Sequence, residues 1–187
     1  MVITKDAATL VAALIAAAVS VLNLVLSEIN RRAQIRLDHQ LRGLAEDKKR
    51  SIESIQERLS QFYEPLAALL VTNSCIFERI GPTSPARTSE DYDDEELAET
   101  WKRLVEKVIL PNNRRICEII ETKSHLIARE DSDRLYQDFL VHAYSYETFR
   151  QAPSSAHRLF PFPKELLNRV EHLRNALRAQ FERVNEG

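Results

Sequence analysis

The chain has 187 residues, a net charge of -2 and only three glycines, Gly43, Gly81 and Gly187. Phosphate-cradling loops and nucleotide fingerprints need glycines at short fixed spacings, so none can be drawn, and hairpin-rich β folds are disfavoured for the same reason. The even charge balance carries no global signature of nucleic-acid binding, and the expectation is an all-α protein with no nucleic-acid partner.

The first element is an uncharged run, Ala7 to Leu26, interrupted only by Thr9, Ser20 and Asn23. At ~1.5 Å per helical residue its length matches a hydrocarbon core of ~30 Å, and it is expected to be a single-pass anchor within residues 1–26. Arg31, Arg32 and Arg36 follow it closely, whereas Lys5 stands beside Asp6 on the other flank. That asymmetry predicts an inner-membrane protein with its C-terminal body in the cytoplasm, and makes the three arginines candidates for lipid headgroups. Two readings compete, a cleavable leader and a buried soluble helix; VLNLVL carries the apolar run past Ala16-Ala17-Ala18 against the first, and the lack of a polar stripe argues against the second. Ala8, Ala12, Ala16 and Ser20 recur every four residues, a stripe that lets helices approach closely in lipid, and Asn23 can add an interhelical hydrogen bond.

Residues 27–64 are predicted to continue as a charged stalk helix. Residues 27–50 hold seven bases against four acids. Leu37, Leu41 and Leu44 form a loose apolar stripe, and from Ile52 the spacing becomes regular through Ile55, Leu59, Phe62, Leu66, Leu69 and Asn73. Alternating steps of three and four describe a heptad seam with Asn73 as its polar member. Such a seam suits a coiled coil between chains or a helix packed on its own bundle. Pro65 is expected to end the stalk near Tyr63 and begin a bundle helix that Gly81-Pro82 stops.

Residues 65–187 are predicted to form an antiparallel helical bundle with a mobile acidic loop at 82–96. Between Pro82 and Thr100 stand seven acids and one base. Helices are expected from Leu97 to Leu110, with Trp101 in the core, from Pro111, from Ser132 or Asp133, and from Pro163 to the end. Asn112 to Arg115 read as caps and surface contacts. The lone Cys75 and Cys117 read as reduced and buried.

Two carboxylate–histidine pairs stand at i,i+4 on consecutive helices, Glu121 with His125 and Asp138 with His142. Such groups can bind zinc or iron inside a bundle. The ferritin-like pattern, however, uses i,i+3 spacing and further glutamates, so structural pairing is the expectation, with no metal and no cofactor. No nucleophile has an activating neighbour, and no enzyme activity is expected.

Three stretches, FYEPLAALLVTNSCIF, VILPNNRRICEIIETKSHLI after Trp101, and FLVHAYSYE, together resemble a family of uncharacterised bacterial proteins. The resemblance covers roughly residues 62–149. It implies one N-terminal membrane helix, a charged helical stalk and a small cytoplasmic helical domain, and implies no activity. The function expected is a membrane-anchored scaffold or partner-binding protein, self-associating into a homo-oligomer. The alternatives are a membrane-perturbing effector of a phage-defence or toxin system, and a metal-dependent enzyme at the Glu/His positions.

Overall fold

A computed structural model describes residues 5–128, 130–131, 133–151 and 155–186, with the side chains at 5–13, 15 and 151 outside the description. Every regular element among these residues is helical, as the scarcity of glycine and the apolar periodicity require. The chain divides into two compact units, Met1–Arg50 and Ser51–Gly187.

Helix α1 (Lys5–Arg58) forms the first unit up to Arg50, and its last turns belong to the second. From Ala16 to Arg50 its side chains are exposed, with Glu28 alone intermediate. Ion pairs at i,i+4 spacing line it, among them Glu28–Arg32, Asp38–Arg42 and Glu46–Arg50. Among the described residues no helix is long and apolar enough to cross a membrane. The expected anchor lies partly outside them, since the side chains of residues 7–13 and 15, including Ala8 and Ala12 of the small-residue stripe, are not described. The all-helical class therefore stands, while the membrane-spanning part of the expectation gains no support here.

The second unit holds the core. Pro65 and Pro111 each stand in the first turn of a new α-helix, as expected, but the backbone stays helical across both junctions. Leu59–Tyr63 is a π-turn joining α1 to α2 (Glu64–Ile80), and Val105–Ile109 is a π-turn joining α3 (Asp94–Leu104) to α4 (Leu110–Lys123). In each case the residue before the proline donates its N–H five residues back, Glu64 to the Leu59 carbonyl and Leu110 to that of Val105. A proline has no N–H to give and crowds the carbonyl four residues before it. One extra residue in the turn accommodates both defects while the helix runs on.

The π-turn also shifts the helix phase by one position. Phe62 and Tyr63 are adjacent in sequence, and both are fully buried. Beyond them the buried positions are Leu66, Ala67 and Leu70, whereas Leu69 of the expected seam is only partly buried. Of the two packings open to the seam, the segment from Ile55 onward adopts the one within its own chain: Ile55, Phe62 and Leu66 join a core with Ile116 of α4, Phe139 of α5 (Asp133–Gln151) and Val170 of α6 (Leu166–Glu186).

Gly81 does stop α2, through close approach. Its N–H bonds the Phe77 carbonyl at 2.8 Å in extended backbone, and a Cβ there would lie 2.3 Å from that oxygen. The segment expected as a mobile acidic loop carries more structure than a solvated chain. Ser84 is buried and donates to the Arg79 carbonyl at 2.6 Å, Pro85–Thr88 forms a 3-10 turn, and Arg87 Nε donates to the Ile80 carbonyl at 3.1 Å. The orphan carbonyls at the end of α2 thus find donors. Asp93 then caps α3, accepting the N–H groups of Glu95 and Glu96, so the acids form the first turn of a helix that begins before Leu97. Trp101 is half-buried, its ring edge-on to Phe77 at 5.8 Å.

Candidate functional site

Two polar clusters lie within the second unit, and only one was foreshadowed by the sequence. Asn73 donates through Nδ2 to Asn113 Oδ1 at 2.9 Å, and Asn112 Nδ2 donates to Asn73 Oδ1 at 2.8 Å. The three amides bridge α2 and α4, and Asn113 is buried. Each buried amide that lost its partner would be left desolvated and unsatisfied, so the trio fixes how far one helix slides along the other. Asn73, the polar member of the expected seam, thus finds its partners inside one chain, and Asn112 and Asn113 bond across to α2.

The second cluster centres on Asp131, whose side chain is wholly buried in the turn before α5. Tyr136 donates its hydroxyl to Asp131 Oδ2 at 2.5 Å, Tyr63 donates to the same oxygen at 3.4 Å, and Arg169 Nε reaches Oδ1 at 2.8 Å. Arg169 also donates to the Glu130 carbonyl at 2.5 Å, and Tyr63 accepts the Ala128 N–H at 3.0 Å. The Asp131 carboxylate is therefore tied to the π-turn, to α5 and to α6. Among the described residues no buried side-chain nitrogen or oxygen lacks a partner.

The electrostatics of this cluster favour holding over catalysis. Burial pushes the Tyr63 hydroxyl up to about 12, and burial with the bond to Asp131 raises Tyr136 further. Asp131 holds the Arg169 guanidinium firmly charged. Both hydroxyls therefore stay protonated as donors, and neither is poised near neutrality as a general base would be. Burial likewise raises the Cys117 thiol to about 11, so that the nucleophilic thiolate is suppressed. Cys75, expected to be buried, is exposed.

The carboxylate–histidine positions do not come together. Glu121 accepts the Tyr144 hydroxyl at 2.5 Å, which raises that phenol to about 12. His125 is exposed in the 3-10 turn Ser124–Leu126, and Asp138 lies 3.9 Å from Arg134. His142 is half-buried, its Nδ1 on the Phe160 carbonyl at 2.8 Å, its ring stacked on Tyr146 and edge-on to Phe162. Neither histidine is bonded to the carboxylate four residues before it. Among the described residues no three His, Cys, Asp or Glu side chains are grouped to hold a metal ion.

The remaining sequence candidates lie on α1. Ala16, Ser20 and Asn23 are exposed, and Ser20 turns its hydroxyl back to the Ala16 carbonyl at 2.8 Å. Arg31 and Arg32 both bond Glu28, holding its carboxyl below the usual range, and Arg36 is exposed. Tyr63, Tyr136 and Arg169 escaped sequence reasoning because they are separated by tens of residues and form no local motif. No protein-family model, curated protein or solved structure matches the chain. The family resemblance read from the sequence therefore brings no activity with it.

Proposed function

We propose that the chain is a single-pass membrane-anchored scaffold, with a cytoplasmic helical body that engages a protein partner and an N-terminal helix that associates with itself. The observation that carries this reading is the apolar surface of α1. Leu14, Val19, Leu22, Leu24, Val25 and Leu26 are all about half or more exposed. Apolar side chains exposed on every side of a helix suit lipid better than water, and the uncharged run Ala7–Leu26 is long enough to span. The internal bond from Ser20 to Ala16 satisfies a hydroxyl without water, as a helix in hydrocarbon requires. Arg31, Arg32 and Arg36 then stand where the headgroups would be, though Glu28 offsets part of their charge.

The body is given a binding role because its buried polar clusters serve packing and its histidines do not converge. The test is extraction of membranes from cells making the full chain. The protein should stay with the pellet in alkaline carbonate and leave it in detergent. Release by carbonate or high salt would refute the anchor.

A further inference from the structure

The apolar stripe that the sequence offered for association is largely spent inside the body, and another lies free on α1. Leu22, Leu26, Ile29, Leu37, Leu41 and Leu44 are each 49–67% exposed, with no core around them among the described residues. Their spacing follows an 11-residue repeat. Leu22, Ala33, Leu44 and Ile55 recur at that interval ahead of the π-turn, and Leu26, Leu37, Lys48 and Leu59 each follow a member by four. Eleven residues make three turns at ~3.67 residues each, so the stripe keeps to one side of the helix instead of drifting around it.

The charges of the same segment avoid that side. At ~100° per residue, the pairs Glu28–Arg32, Asp38–Arg42 and Glu46–Arg50 fall on the opposite face of α1. Between Leu22 and Leu44 the remaining positions along the stripe, Asn30, Ala33 and Gln40, are uncharged, and the first charge to fall on it is Lys48, four residues past Leu44. Two copies meeting between Leu22 and Leu44 therefore keep like charges off the centre of the contact.

We infer that this face docks on the same face of a second copy of the chain, parallel and in register. Three observations choose that occupant. The members of the repeat that reach the body ahead of the phase shift, Ile55 and Leu59, are core or core-packed residues, so the pattern is one that this chain uses for dry packing. The stripe is uniform and self-complementary, as an interface between identical helices must be. Six side chains hiding roughly 100 Å² apiece would cover ~1,200 Å² per pair, the lower edge of a specific interface. The parallel sense rests on the anchoring proposed above, because two chains entering one membrane with the same topology run the same way.

The test uses the full chain in membranes, in a Cys75→Ser background, with single cysteines introduced at Leu37, Leu44 or Arg42. Mild oxidation should link Leu37→Cys and Leu44→Cys each to its own copy, several-fold more than Arg42→Cys on the charged face. Linkage at neither stripe position, equal linkage at all three, or linkage to a different protein would overturn the inference. Linkage at only one stripe position would indicate an antiparallel crossing and overturn it as well. In detergent, light scattering should give the mass of two chains, falling to one in Leu37→Glu/Leu44→Glu, with unchanged fluorescence of Trp101 reporting that the body is still folded. Persistence of the two-chain mass in that folded variant counts against the inference. Carbonate extraction separates the two readings: a chain retained by the membrane without cross-links loses only the pairing, and one that cross-links after release loses only the anchor.

Discussion

Residues 22–44 and residues 55–70 use similar apolar spacing with opposite outcomes. In the first stretch Leu22, Leu37 and Leu44 lie open on α1, and in the second Ile55, Phe62 and Leu66 are buried to within a few per cent. Periodicity marks which side of a helix is apolar and is silent on what covers it. The second stretch finds cover because α4, α5 and α6 follow in the same chain, and because the π-turn at Leu59–Tyr63 adds Tyr63, Ala67 and Leu70 to the buried side. The first is exposed along α1.

The widest contrast should come from truncating the two stretches. Phe62 is fully buried and edge-on to Tyr63 and Tyr136. Phe62→Ala removes that packing and leaves a cavity, and should lower body stability by ~3–5 kcal/mol. Trp101, the single tryptophan, reports the unfolding. A loss below ~1 kcal/mol would mean that the core does not depend on the π-turn aromatics.

Next in size is Asp131→Ala, which strips the acceptor from Tyr63, Tyr136 and Arg169 together. Arg169 is partly exposed and regains water, so the expected cost is ~2–3 kcal/mol, below that of breaking a fully buried pair. Asp131→Asn keeps an acceptor and should cost less. Urea unfolding of both variants decides it, and equal losses would deny the network its role. Asn73→Ala, which unpairs amides of Asn112 and Asn113, should follow at ~1–2 kcal/mol.

These clusters also mark where sequence reasoning succeeded and where it ran out. Gly81-Pro82 was legible as a helix stop because capping is local, and Asn73 was legible because a polar residue interrupts a regular seam. Pro65 and Pro111 were legible as the starts of new α-helices, and the π-turns that carry the helical backbone up to them were not. A missing N–H is a local fact, but whether the helix ends or takes in an extra residue depends on the packing of Phe62, Tyr63 and Val105 against distant elements. Asp131 was invisible for the same reason: its partners come from the π-turn, α5 and α6, and no spacing announces them. The histidines misled in the other direction. An i,i+4 carboxylate suggests a pair, yet Glu121 turns to Tyr144 and His142 turns to Phe160.

His142 gives a smaller effect, tied to pH. Burial lowers its pKa below the usual 6.5, with the Phe160 carbonyl partly opposing the shift. The folded body thus prefers the neutral ring. Its contribution is fully present above the unfolded value of ~6.5 and is lost as pH falls through the lower folded value. Urea midpoints measured from pH 7.5 down to pH 5 should fall, and His142→Gln should flatten part of that slope. A slope unchanged by the substitution would assign the acid sensitivity elsewhere.

The smallest expected effect tests the comparison most directly. Leu41 is 57% exposed on α1, and alanine is the better helix former, so Leu41→Ala has neither a cavity to open nor a helix to weaken. Surface substitutions of that kind stay within ~0.5 kcal/mol. The Trp101 transition of the full chain in detergent should therefore hold its midpoint, while Phe62→Ala, on the buried stretch that follows, moves it strongly. If Leu41→Ala shifts that transition by as much as a core truncation, residues 22–44 are packed against the body in solution. The division between a covered and an open stretch would then be false. If only the association measured by light scattering weakens, the open stretch serves the contact between copies and the body folds without it.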